Sequence, residues 1–263
     1  MGIVINRRQF VKTVMAAISG LLLSKTTKLH AQTLVHRRIQ CPILMYHYIS
    51  PLPDDADRIR QDLTVVPDLF DAHCRYLAEN GYTTIPMALF AQALLFGDEL
   101  PEQPIILTFD DGYVDAYEHA FPILQAYEMV GTFFIITQFM ENPRYLTWGQ
   151  AGLMLEAGME IENHSVHHQN LSGRDREYLL GEIEGAAQAI QQTFLRRPEF
   201  FCYPAGRFDD TTIDIVRETG HLLAATTQDG TLHDSSDPYR LKRVRMRGTT
   251  TVEELSQLIV RRL

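Results

Sequence analysis

Pro104-Ile105-Ile106-Leu107-Thr108-Phe109 is apolar along almost its whole length and stops abruptly at Asp110-Asp111-Gly112. A run this short and uniformly apolar fits a strand buried on both faces, the habit of parallel sheets covered by helices. The rest of the chain keeps that rhythm. Strands are predicted at 43–46, 82–85, 131–137, 159–162, 200–203 and 222–226. Helical patterns lie at 66–80, 87–96, 113–127, 148–157, 174–194, 211–219 and 252–261. Alternating strands and helices argue for parallel strands joined by crossover helices. Six or seven such units in one domain fit an α/β barrel better than an open sheet. His47, Asp110-Asp111, His164–His168 and the Tyr203–Gly206 turn all follow strand ends, where a parallel α/β barrel keeps its active site.

The chain's 263 residues suffice for a single domain of this kind, and a 45% hydrophobic content allows a sizeable core. A formal net charge of -9 should repel polyanions, so nucleic acid is not an expected partner. Cys41, Cys74 and Cys202 include no C-x-x-C pair and are odd in number, so they read as small buried residues rather than a disulfide framework.

The N-terminus reads as an address. Arg7-Arg8-Gln9-Phe10-Val11-Lys12 precedes an apolar stretch from Thr13 to Leu23. That stretch is shorter than the about 20 residues needed to cross a bilayer. Paired arginines before it look like a twin-arginine export signal. Residues 1–40 are therefore expected to be signal and linker, with the catalytic domain at 41–263. The protein is expected outside the cytoplasm, in the periplasm, cell envelope or medium. An uncleaved signal would be its route to membrane association.

Two polar clusters carry the chemistry. Asp110 and Asp111 stand side by side at the end of a buried strand, where their charges repel unless a metal or another cation compensates. His164 and His168 are four apart, and one helical turn would place both imidazoles on one side. Two neutral histidines and a carboxylate form a usual catalytic zinc set with one position open.

T-F-D-D-G at 108–112, followed by H-S-V-H-H at 164–168, resembles the polysaccharide deacetylases of the NodB-homology group, carbohydrate esterase family 4. Pro42–His47, Glu79–Tyr82, Gly131–Phe134, Thr147-Trp148 and Phe201–Gly206 are similar to that family as well, so the likeness spans about residues 41–250. It implies a distorted (β/α) barrel of about seven parallel strands and hydrolysis of N-acetyl groups from an N-acetylated glycan. It also implies Asp110 as general base, with Asp111, His164 and His168 holding a divalent metal, zinc by preference. The Tyr203–Gly206 turn would serve the oxyanion and substrate, with Ala205 donating its backbone N–H.

The chain departs from the family pattern twice. Cys202 stands where many members carry an arginine that steadies the base; Arg207 or Arg243 could replace it. The C-terminal histidine that serves as general acid is missing, since no histidine follows Val244. His47 is the best substitute, at the end of the first strand as in the branch acting on poly-N-acetylglucosamine. It is expected to face the metal across the barrel mouth from Asp110. His233 is a weaker candidate, and His73 and His119 fall on helices. Two other readings are a metal-dependent deacylase of small molecules and a non-catalytic sugar-binding relative; the intact Asp110 argues against the second.

Overall fold

The computed structural model describes residues 36–260. The twin-arginine-like segment lies outside the described residues. Arg38–Gln40 (β1), expected in the linker, is instead a strand, paired antiparallel with Leu232–Asp234. The order then runs β2 (Ile43–Tyr46), α1 (Arg58–Leu63), α2 (Pro67–Glu79), β3 (Thr83–Thr84), α3 (Met87–Phe96) and β4 (Pro104–Phe109). Next come α4 (Phe121–Ala126), β5 (Thr132–Ile135), α5 (Trp148–Glu156), β6 (Glu160–Asn163), α6 (Arg176–Phe194) and β7 (Phe200–Cys202). The chain closes with α7 (Asp210–Glu218), β8 (Leu223–Ala225), β9 (Leu232–Asp234), β10 (Val244–Arg245) and α8 (Val252–Val260).

Seven strands form one curved, open parallel sheet in the order β10-β2-β4-β5-β6-β7-β8, flanked by helices; β3 also pairs with β4. This is the distorted (β/α) barrel expected. Among the described residues no helix is long and apolar enough to cross a membrane.

The two-residue period of a strand sorts side chains between two faces. Leu107 and Phe109 of β4 pack outward with Leu44, Tyr46, Phe133 and Ile161 against the helices. Tyr46, Phe109 and Phe133, from three adjacent strands, stack at 5.4 and 4.6 Å. Ile106 faces the other way and packs with Ile43, Phe134, Phe200, Cys202, Leu223 and Ala225, plugged by Ile85, Met87 and Phe90. Thr108 and Asp110 continue that inward row. Helix α3 has no side-chain cap of its own. Glu160 of β6 supplies one: its carboxylate accepts from the Met87 and Ala88 amides at 2.7 and 3.0 Å.

All three cysteines are free and buried. The segment after β2 contains α1, whose N-terminus Asp57 caps by accepting from the Arg60 amide. The helix expected at 113–127 is broken into a π-turn at Ala116–Ala120 and the short α4.

Candidate active site

Strand β4 ends with the Asp110 amide bonded to the Tyr46 carbonyl at 2.9 Å. The chain then turns through left-handed conformations at Asp111 (φ 76°) and Gly112 (φ 73°). A Cβ on Gly112 would sit 3.0 Å from Ile135 Cγ2 and 3.3 Å from Ile135 Cα, so the turn demands glycine. The turn separates the two carboxylates: Asp110 points to the barrel interior and Asp111 to the histidine loop.

Asp110 is 4% exposed. Arg243 Nη1 and Nη2 donate to its two carboxylate oxygens, each at 2.7 Å. The guanidinium is itself fixed: Nε donates to the Thr226 carbonyl at 2.8 Å, Nη1 to Thr108 Oγ1 at 3.0 Å and Nη2 to Cys202 Sγ at 3.2 Å. Burial raises the Asp110 pKa, but the charge and hydrogen bonds of Arg243, with His164 and His47, hold it well below the usual carboxylate range. Arg243 rather than Arg207 therefore steadies the carboxylate; Arg207 is exposed. Arg243 immediately precedes β10, too far in sequence from Asp110 for spacing to reveal it.

Asp111 Oδ1 lies 3.3 Å from His164 Nε2 and 3.3 Å from His168 Nε2. It is buried and accepts no hydrogen bond of good geometry. His164 Nδ1 lies 2.7 Å from the Cys202 carbonyl, which can only accept, so Nδ1 carries a proton and Nε2 is the nitrogen that faces Asp111. Burial pushes the His164 pKa down, yet Cys202 and the two aspartates hold it well above the ordinary imidazole range. Burial and the charge of His164 push His168 below that range. One donor atom from each of Asp111, His164 and His168 thus meets the others in a single pocket. Ligands at about 2.0–2.1 Å around a tetrahedral metal are separated by about 3.3 Å, so the spacing fits a divalent ion bound by Asp111, His164 and His168.

A second trio, Asp110, His164 and Cys202, also lies within ligand distance. Arg243 already supplies its cation, so it is not the metal site.

The helical turn expected over His164–His168 is absent. These residues form a loop with left-handed Ser165 (φ 66°) and His168 (φ 55°). The Ser165 amide donates to Asn163 Oδ1 at 2.8 Å and the His168 amide to Ser165 Oγ at 2.9 Å. These side chains compete successfully with helical bonding. Glu182 of α6 accepts from the His167 amide and ring, at 2.9 and 2.7 Å, and turns that ring away from the metal ligands. The imidazoles converge because the loop folds, not because a helix repeats.

His47 Nε2 lies 4.0 Å from Asp110 Oδ2. The expected placement across the mouth from Asp110 is therefore corrected. β2 and β4 are hydrogen-bonded neighbours with Tyr46 opposite Phe109, so the residues that follow them stand side by side. His233 is not at the site: it lies on β9, 3% exposed, with Nε2 2.9 Å from the Cys41 carbonyl. His73 is also structural, bridging Tyr46 Oη and the Thr250 carbonyl at 3.1 and 2.8 Å. Ala205 is exposed in a left-handed turn (φ 51°, ψ 21°). Tyr203 is fully buried, its ring stacked on Phe208 at 4.2 Å. Its side chain offers substrate no surface, so any part it plays in the turn runs through its backbone.

The polysaccharide deacetylase family model matches residues 97–224. Bacillus subtilis YxkH, assigned to the polysaccharide deacetylases, is 32% identical over 206 residues, covering 78% of this chain and 71% of that protein. An Escherichia coli poly-β-1,6-N-acetyl-D-glucosamine N-deacetylase is 25% identical over 228 residues, covering 70% of this chain; the chain spans only 34% of that protein's length. A Streptococcus pyogenes deacetylase, solved in complex with acetate, superposes with a TM-score of 0.80 at 27% identity, covering 86% of this chain and all of the other. With its metal-binding trio and shared fold, the chain belongs to the polysaccharide deacetylase family, the carbohydrate esterase family 4 hydrolases that act on N-acetyl C–N bonds.

Proposed function

We propose that this chain removes acetyl groups from a polymer of N-acetylglucosamine, of exopolysaccharide or cell wall, releasing acetate and leaving free amines. The carrying observation is the Asp111–His164–His168 trio beside an Asp110 clamped by Arg243. The E. coli relative's named substrate supports the choice of polymer.

A divalent ion on Asp111, His164 and His168, zinc by its donor set, would polarise the acetamide carbonyl and ease ionisation of a water. Asp110 takes the proton of that water. Each of its oxygens keeps a lone pair beyond the one Arg243 uses. The backbone N–H of Ala205 steadies the negative charge that develops on the carbonyl oxygen. His47, 12% exposed beside Asp110, gives a proton to the departing nitrogen.

The test is acetate release from a panel of N-acetylated glycans and small acetamides, with added zinc and with chelator. Zinc-dependent release from N-acetylglucosamine polymers is expected. Release from small acetamides alone would establish the small-molecule deacylase instead, and glycan binding without release would establish a sugar-binding protein. We also propose export by the twin-arginine route; Arg7-Arg8→Lys-Lys should leave the protein in the cytoplasm, and normal export of that variant would overturn the route.

A further inference from the structure

His221 lies between α7 and β8 and is 1% exposed. Its ring stands edge-on to Phe201 of β7, with 5.6 Å between centroids. The chemistry above makes no use of it. Yet both ring nitrogens are engaged: Nε2 is 3.1 Å from Asn163 Nδ2, and Nδ1 is 3.0 Å from Thr219 Oγ1. Asn163 is the residue directly before the ligand His164.

The direction of each bond follows from groups that can play only one part. The Ile183 carbonyl of α6 can only accept, and it lies 2.9 Å from Asn163 Nδ2. The Ser165 amide can only donate, and it lies 2.8 Å from Asn163 Oδ1. Asn163 is thereby oriented, and the second hydrogen on Nδ2 goes to His221 Nε2, which must accept. The ring proton is then on Nδ1 and goes to Thr219 Oγ1. The Thr219 hydroxyl donates in turn to the Ile215 carbonyl at 2.8 Å. At the other end, Ser165 Oγ accepts from the His168 amide at 2.9 Å. A continuous path of directed bonds thus runs from α7 to the ligand His168. Burial, reinforced by the charge of Arg197, pushes the His221 pKa down to about 4, which keeps the Nε2 lone pair free for Asn163 at neutral pH. Ser165 is left-handed (φ 66°), a conformation that a serine keeps only where its surroundings hold it.

We propose that His221 is a positioning residue for the metal: through Asn163 it fixes the Ser165 turn, and with it the direction in which His168 presents Nε2. The inference rests on the Asp111–His164–His168 metal trio and adds what holds that trio in shape before the ion arrives. Binding then need not order the loop.

The experiment measures zinc affinity at neutral pH, by competition with a chromogenic chelator. It compares wild type, His221→Leu, His221→Gln, Asn163→Ala and the double variant of Asn163→Ala with His221→Leu. His221→Leu offers no acceptor and should weaken zinc binding about tenfold. His221→Gln keeps an acceptor at the ε position and should bind zinc nearly as tightly as wild type. With Asn163→Ala in place, His221→Leu should cost nothing further, because the path is already cut. His221→Leu at wild-type affinity overturns the proposal, and so does a loss of the same size with and without Asn163. Asn163→Ala at wild-type affinity overturns it too, even where His221→Leu does not fold. Nitrogen NMR of wild type gives a second readout: His221 should carry its proton on Nδ1, and an Nε2–H tautomer ends the proposal. A wild type that binds no zinc, or a His168→Ala protein that binds it as tightly, overturns the metal trio itself and the proposal with it.

Discussion

Arg243 grips Asp110 through both carboxylate oxygens at 2.7 Å, across 133 residues of sequence, in the interior of the barrel. A planar guanidinium can make that two-point contact, and a lysine ammonium cannot. Arg243→Lys should therefore keep the charge but let the carboxylate swing. The expected result is kcat on an N-acetylated glycan lower by about 10–100-fold with metal content unchanged. Arg243→Met should be worse, because it leaves Asp110 buried without its cation. Breaking one side of a buried pair costs about 3–5 kcal/mol, so its urea midpoint should drop as well. A folded Arg243→Lys with wild-type kcat would show that Asp110 needs no clamp.

The metal trio makes a separate prediction. Three donors converge on one point, so losing one should cost metal and activity together. His168→Ala should bind little zinc by elemental analysis and show no activity. Zinc should raise the thermal midpoint of chelator-stripped wild type, by mass action on the folded state, and leave that of His168→Ala where it was. A His168→Ala protein that retains stoichiometric zinc would remove His168 from the ligand set.

Why the ligands converge differs from what their spacing suggests. Helical patterns and strand runs exposed the barrel because they are local: each apolar segment carries its own period. Asp110 and Asp111 were visible for the same reason, as two charges at the end of an apolar strand. The His164–His168 separation suggested one helical turn, but Ser165 and His168 adopt left-handed backbone and Asn163 and Ser165 hold the loop. No helical period could reveal that geometry, although Ser and Asn beside the histidines are residues that favour such turns. Arg207 and Arg243 are equal candidates in the sequence because the partner is distant and a pairing across the sheet, from β10 over β2 to β4, leaves no local trace. The side-by-side position of His47 and Asp110 follows from β2 pairing with β4, which depends on sheet order rather than on any one segment.

That adjacency sharpens the prediction for His47. Its Nδ1 is buried without a partner and its Nε2 faces Asp110 at 4.0 Å. A group that protonates the departing amine matters most when the leaving group is a poor one. His47→Ala should lower kcat on the sugar amide by about 10²–10⁴-fold with zinc content near normal. An activated aryl acetate, whose leaving group departs without a proton, should lose far less. Equal losses on both substrates would assign His47 to holding Asp110 rather than to proton donation.

Acid stability provides a readout away from the metal. His233 is 3% exposed, with Nε2 bonded to the Cys41 carbonyl and Nδ1 buried without a partner. Charging the ring would add a buried N–H with nothing to accept it. Burial accordingly pushes its pKa down to about 4, against the Cys41 bond that raises it. The unfolded chain binds this proton near the ordinary value of about 6.5, so between about pH 6.5 and 4 the unfolded state holds more protons. The stability that neutral His233 provides is complete above about pH 6.5 and drains away as pH falls toward 4, at up to about 1.4 kcal/mol per unit. His233→Gln keeps a donor for the Cys41 carbonyl and cannot titrate. Unfolding free energies from urea titrations at pH 7 to 4 should fall less steeply for His233→Gln than for wild type, by up to that amount, while the metal ligands contribute equally to both. Parallel slopes would mean that His233 takes up its proton in the folded protein as readily as in the unfolded chain.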